Sequence, residues 1–182
     1  MNKFTVLLLS VAVLLLVTEA HAQSGAVSHP ANEQYPDFPE FAQTALLKLD
    51  DSIHASTDRV YHADFNNDGF QDFATYVASL RNGSGGILLI EQGGNQRYFL
   101  FGAGNESAGQ TDLSWADEIT LLPKGKLIVP ALLDPHTGDI LGEDESKAFQ
   151  LIGDALMLRA AEQDGRLILF WDGKAYTLLS LD

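Results

Sequence analysis

The chain has 182 residues, 25 acidic and 11 basic side chains, a formal net charge of −14 and no cysteine. Without cysteine, disulfide bonds and lipid attachment to an N-terminal cysteine are excluded. The acidity disfavours nucleic acids and anionic membranes, whose recognition needs clustered Lys and Arg. The length is sufficient for one domain with a substantial core.

The first 22 residues have the pattern of a secretory signal peptide. Lys3 provides the positive start, residues 4–17 are almost entirely apolar, and Ala20-His21-Ala22 has the A-x-A form of a cleavage site. The apolar run is shorter than the ~20 residues that span a bilayer, which favours cleavage over an uncleaved anchor. We therefore expect an exported protein, periplasmic or secreted, with no membrane contact after cleavage. Residues 23–36 are expected to form a flexible N-terminal segment.

One amphipathic helix is predicted next, over residues 38–51. Asp37 and Glu40 have the spacing of a capping box at its start. Apolar residues recur at helical spacing along it: Phe38, Phe41, Ala45 and Leu49. Such a stripe is typical of a helix that packs on a core.

After the helix, short apolar runs alternate with turn residues, the pattern of hairpin-connected strands. The predicted strands are residues 59–63, 72–79, 87–92, 96–102, 118–122, 126–133, 149–152, 155–160, 166–171 and 174–181. Residues 118–122 and 126–133 are expected to pair as a hairpin. Residues 103–116 form a glycine-rich loop and 134–147 an acidic loop. The pattern favours a single mainly β domain over residues 37–182, as an antiparallel meander, sandwich, open barrel or propeller-like arrangement, although no internal repeat supports a propeller.

The stretch Asp64-Phe65-Asn66-Asn67-Asp68-Gly69-Phe70-Gln71-Asp72 has the alternating oxygen donors of a calcium-binding loop. Calcium takes about six to eight oxygen ligands, with loose angular demands. Glycine at the sixth position permits the sharp turn through a positive φ. The expected ligands are the side chains of Asp64, Asn66, Asp68 and Asp72 and the backbone carbonyl of Phe70. A bound Ca²⁺ would cancel the repulsion among three carboxylates.

Residues 62–74 resemble one FG-GAP or VCBS-type repeat, in which a D-x-[DN]-x-D-G-x-x-D loop joins two strands. The resemblance covers residues 61–75 and implies the same five calcium ligands. An EF-hand is disfavoured because Thr75 stands at the twelfth position, where an EF-hand has glutamate, and because β-forming residues follow the loop.

A single copy of this repeat is present, whereas propellers need several. Residues 134–139 have histidine at the third position and reach glycine one residue early, so they do not form a second copy. More loosely, residues 101–105, 112–117 and 170–174 resemble small secreted bacterial proteins that carry one such repeat.

Other chemistry has less support. The five histidines show neither H-x-x-x-H nor H-E-x-x-H spacing, no nucleophile elbow is present, and no motif marks an acid pair for glycoside hydrolysis. The sequence therefore favours a non-enzymatic, exported calcium-binding domain in which the metal is structural. The alternative is an interaction module that binds a glycan or a protein through loops 103–116 and 134–147. In that module Trp115 would stack on a sugar or anchor a partner, although a tryptophan that caps the sheet is the favoured interpretation. A hydrolase is the least favoured interpretation.

Overall fold

The computed structural model describes residues 35–93, 97–161 and 165–182, so the predicted signal peptide and residues 23–34 lie outside the described part. The described part is 46% strand and 7% helical, and its sheets are antiparallel. The prediction of a mainly β chain with one short helix is therefore confirmed.

The helix α1 covers Glu40–Leu46. In the described residues it is followed by twelve strands: β1 (Ile53–Ala63), β2 (Asp72–Ser79), β3 (Gly85–Ile90), β4 (Tyr98–Gly102), β5 (Glu118–Leu122), β6 (Leu127–Ile128), β7 (Ala131–Leu133), β8 (Ile140–Glu143), β9 (Phe149–Gln150), β10 (Ala155–Arg159), β11 (Arg166–Trp171) and β12 (Tyr176–Ser180). A 3₁₀ turn covers Glu145–Lys147. None of the described helices has the length and hydrophobicity to cross a membrane.

Two four-stranded antiparallel sheets form the body of the fold. The first has the strand order β1-β2-β3-β4 and the second β12-β11-β10-β5. Ile87 and Leu89 of the first sheet share one buried cluster with Leu156 and Leu169 of the second. The two sheets therefore pack face to face as a sandwich around a common core.

Each sheet is covered on its outer face as well. Alternate residues of β3 belong to the shared core and to a second cluster that includes Ala42 of α1. A third cluster, with Ile128 and Leu151, covers the outer face of the second sheet. Because both faces are covered, β3 is buried along its whole length and forms a continuous apolar run in the sequence.

The helix is shorter than the predicted residues 38–51, and Asp37 does not cap it. Pro39 is its N-cap, without a side-chain hydrogen bond. A proline disfavours the α conformation of the residue before it, so the helix begins only after Pro39. Beyond the helix, the Asp50 carboxylate accepts the Ser52 N–H at 2.9 Å, a local bond that competes with further helical turns.

The predicted hairpin of residues 118–122 with 126–133 is wrong. β5 pairs with β10, where Thr120 is opposite Met157, and β6 pairs with β9. The predicted acidic loop 134–147 is also incomplete, because it contains β8, which pairs with β7. β10 is buried between the shared core and the third cluster, and this burial decides which strands pair with it. The local turn residues do not encode such long-range pairing.

The folded part of the chain extends into the predicted N-terminal segment 23–36. Tyr35 is buried, and its ring stacks on Phe38 with the ring centroids 4.9 Å apart. Its hydroxyl accepts the N–H of Ala55 at 3.0 Å. These contacts place Tyr35 on the outer face of the first sheet, beside α1.

Candidate metal centre

The loop 64–72 closes the β1–β2 hairpin. Ala63 and Asp72 are opposite each other across the two strands, so the loop leaves and re-enters the sheet at one point. Asn67 and Gly69 have φ values of 60° and 87°. These are left-handed conformations, which glycine adopts without strain and asparagine tolerates better than most residues. The positive φ predicted for Gly69 is therefore present, and it produces the sharp turn.

Three of the predicted donors are brought together at this turn. Asp64 Oδ1 and Asn66 Oδ1 both accept the N–H of Asp68, each at 3.0 Å. Asp64 Oδ2 accepts the Gly69 N–H at 3.0 Å, and Asp68 Oδ1 accepts the Phe70 N–H at 2.9 Å. The loop backbone thus orients all three side chains, and each oxygen keeps a lone pair for a further partner.

The Asp72 side chain is fully buried. Its Oδ2 accepts the Phe65 N–H at 3.1 Å, and its Oδ1 accepts the Gln92 N–H at 3.0 Å. The pKa of Asp72 is raised to about 6, chiefly by burial and also by the charges of Asp68 and Glu91, while the two backbone bonds act to lower it. The cluster of negative charge is therefore unfavourable by itself, and a nearby cation would relieve it.

In the described part of the chain, no three His, Cys, Asp or Glu side chains are grouped closely enough to hold a metal. The reason is visible in the loop: Asp72 faces the backbone N–H groups, and two predicted donors, the Asn66 amide and the Phe70 carbonyl, are not of those residue types. The structure thus brings together Asp64, Asn66 and Asp68 through shared backbone hydrogen bonds, and the Asp72 carboxylate accepts the N–H groups of Phe65 and Gln92.

Glu91, directly after β3, is a carboxylate near the loop that the sequence-based ligand set lacks. Its side chain is only 3% exposed. Glu91 Oε1 accepts a hydrogen bond from Asn66 Nδ2 at 3.2 Å, and Asn66 Nδ2 also donates to Asp68 Oδ2 at 3.1 Å. Arg97 donates to both oxygens of Glu91, at 2.7 and 3.1 Å. The one sequence signal that could have indicated Glu91 is its position, since it is an acidic residue at the end of an apolar strand.

The loop is also bonded to the segment that precedes β10 in the second sheet. The Asp154 N–H donates to the Asp64 carbonyl at 2.9 Å, and the Asp64 N–H donates to Asp154 Oδ2 at 3.2 Å. Asp154 Oδ1 also accepts the Lys124 N–H at 2.8 Å. A Cβ atom at Gly153 would lie 2.1 Å from the Phe65 carbonyl oxygen, so this close approach requires glycine. The loop therefore connects the two sheets.

The glycine-rich loop 103–116 is anchored to the start of β3. The Leu113 N–H donates to the Gly85 carbonyl at 2.9 Å, and Asp112 Oδ1 accepts the Gly85 N–H at 2.7 Å. Trp115, a stacking residue only in the interaction-module alternative, is partly buried and packs against the shared core. In this structure the indole contributes to the sandwich.

Comparisons of the chain with protein-family models, with curated proteins and with solved structures find no match in any of the three. The resemblance of residues 62–74 to an FG-GAP or VCBS-type repeat therefore stays a prediction.

Proposed function

We propose that the protein is an exported, non-enzymatic β domain whose loop 64–72 binds one Ca²⁺ as a structural ion. The ligands are the side chains of Asp64, Asn66 and Asp68, the carbonyl of Phe70, and Asp72 directly or through water. The observation that carries the proposal is the shared orientation of Asp64, Asn66 and Asp68 by the loop backbone. Oxygen donors without thiolate or imidazole suit Ca²⁺ better than a transition metal.

The position of the loop explains why the ion would act on stability. The loop closes the β1–β2 hairpin and contacts the segment before β10 through Asp154. An ion that binds only the folded chain stabilises it by mass action, by about 2.7 kcal/mol when free calcium is about 100 times the Kd. Extracellular calcium modules bind at ~10⁻⁴–10⁻³ M, which suits a compartment outside the cytoplasm.

The test is differential scanning calorimetry with calcium and with chelator. Calcium should raise the Tm of the wild-type protein, and Asp68→Ala should reduce this increase to nearly zero, because Asp68 both binds the ion and orients the turn. Asp134→Ala, in the other aspartate-rich turn, is the matched control and should keep the full increase. An Asp68→Ala protein with an unchanged increase would contradict the proposal. Native mass spectrometry should then show one calcium ion per chain.

Export has a test of its own. Intact mass of the protein produced in a secreting bacterial host should correspond to a chain that begins at Gln23, since cleavage is expected after Ala22. A chain that retains residues 1–22 while it is membrane-bound would contradict the expected cleavage. The calcium proposal would be unaffected by that result.

A further inference from the structure

Glu91 has the burial of a core residue and the chemistry of a metal ligand. Its side chain is 3% exposed, whereas that of its salt-bridge partner Arg97 is 58% exposed. A buried carboxylate destabilises a fold unless partners compensate its charge. The other partner of Glu91 is Asn66, itself one of the proposed calcium ligands. Glu91 is therefore connected to the calcium loop through one of the loop's own donors.

The side-chain nitrogen of Asn66 marks a position where a cation is favoured. It lies 3.1 Å from Asp68 Oδ2 and 3.2 Å from Glu91 Oε1. An N–H₂ group thus separates two carboxylates that are far apart in the sequence. Rotation of the amide would exchange its nitrogen for its oxygen at the expense of the bond from the Asp68 N–H to Asn66 Oδ1. The three residues would then present only oxygen atoms to that position.

Tyr176 on β12 provides a second observation. It is 9% exposed, and among the described residues its hydroxyl has no hydrogen-bond partner. Its ring packs against Phe99 and Trp171, with centroids 4.8 and 5.0 Å away. Burial, then the charges of Asp72 and Glu91 and a side-chain contact with Glu91, raise the pKa of the hydroxyl. The hydroxyl therefore lies near the Glu91 carboxylate without a hydrogen bond of good geometry to it.

We infer that Glu91 is a further ligand of the calcium ion, supplied from the end of β3, and that Tyr176 is the positioning residue whose hydroxyl donates to Glu91 when the ion is bound. The inference rests on the proposed function and extends its ligand set beyond the loop. Binding of the ion moves the Glu91 carboxylate from Arg97 towards the loop, and that shift gives the Tyr176 hydroxyl its missing acceptor. The ion then connects the loop, the first sheet and the second sheet.

Arg97 consequently competes with calcium for Glu91. Removal of its guanidinium should raise calcium affinity, whereas a salt bridge with a purely structural role would leave affinity unchanged or lower it. Part of any increase in calcium affinity reflects the loss of one positive charge near the site. Lys124→Gln measures that part, because the Lys124 ammonium contacts Asn67 of the same loop, whereas the salt bridge of Glu91 is with Arg97.

The experiment is a calcium titration by isothermal calorimetry at fixed ionic strength, on the purified wild-type protein and on the variants Glu91→Gln, Arg97→Gln, Lys124→Gln, Tyr176→Phe and Glu91→Gln/Arg97→Gln. Circular dichroism in chelator checks that each is folded. Glu91→Gln should weaken binding by about tenfold or more, as loss of a charged ligand does. Tyr176→Phe should weaken it by about two- to tenfold, the worth of one hydrogen bond.

The double variant Glu91→Gln/Arg97→Gln distinguishes a role of Glu91 as calcium ligand from a purely structural role. Arg97→Gln should strengthen binding more than Lys124→Gln does, and this gain should disappear when Glu91 is also replaced. Unchanged affinity in Glu91→Gln, or a gain that persists in the double variant, would overturn the inference and leave the proposed function intact. If Glu91→Gln does not fold, an Arg97→Gln gain no larger than that of Lys124→Gln overturns it. Absence of calcium binding by the wild-type protein would overturn the proposed function itself.

Discussion

Two aspartate-rich turns of this chain, residues 64–72 and 134–139, are similar in composition and differ in what surrounds them. In the first, Asp64 is bonded to Asp154 and Asn66 to Glu91, partners that are 90 and 25 residues away. In the second, the Asp134 carboxylate accepts the N–H groups of the next residues in its own turn, at 2.8 and 3.0 Å. These bonds lower the pKa of Asp134, which is only partly exposed.

The difference shows that a count of acids does not identify a cation site. Around an exposed turn, water and salt screen the charges, and the turn needs no ion. Around the loop 64–72, Asp72 and Glu91 are buried close to Asp68, and burial with neighbouring negative charge raises the pKa of Asp72. The tertiary contacts, more than the local motif, therefore concentrate negative charge around the loop 64–72. Three further substitutions test this comparison.

The largest effect is expected from Gly153→Ala. The added Cβ would lie 2.1 Å from the Phe65 carbonyl oxygen, and a backbone atom cannot move away as a flexible side chain does. We expect the free energy of unfolding, measured by urea denaturation, to fall by about 3 kcal/mol. Gly165→Ala is the control, because a Cβ there meets no atom within 4 Å. Equal stability of the two variants would show that the loop is not held against the second sheet in this way.

A smaller effect is expected from Asp72→Ala, measured in chelator so that calcium plays no part. The substitution leaves the N–H groups of Phe65 and Gln92 without their acceptor. An unsatisfied buried donor costs about 1–3 kcal/mol, and relief of charge repulsion offsets part of the loss, so a decrease of about 2 kcal/mol is expected. A variant as stable as the wild type would mean that Asp72 contributes nothing to the free energy of unfolding without the ion.

The smallest effect is expected in the turn 134–139. Asp139→Ala removes an acceptor of the Thr137 hydroxyl, a bond of 2.8 Å within one exposed turn. Calcium affinity, measured by titration calorimetry, should stay within about twofold of the wild-type value, because exposed charges far from a site are screened. A larger loss of affinity would place a calcium site in the second turn and remove the contrast between the two.

Much of the local structure was predictable. Strands β2, β5 and β11 have the predicted bounds, because each is a short apolar run between strong turn signals. The turn at Gly69 was predictable from its position in the motif, since few residues other than glycine adopt a φ of 87° without strain. These features depend on neighbours within a few residues.

The strand partners were not predictable from the same signals. Residues 123–125 have the composition of a hairpin turn, yet the strands on either side of them pair with β10 and β9. The hydrogen bonds of a strand do not depend on side-chain identity, so its partner is decided by which faces become buried. Here Leu156 faces the shared core and Met157 the outer cluster.

The sequence by itself determined that the chain is mainly β, where most strands lie, and that one loop carries Asp64, Asn66 and Asp68 on the same side of a tight turn. Only the tertiary structure decided that Asp72 turns inward to backbone N–H groups and that Glu91 lies beside Asn66. The physical reason is the distance along the chain over which each feature is determined. Backbone conformation follows from neighbouring residues, whereas the surroundings of a buried carboxylate depend on how distant strands pack together.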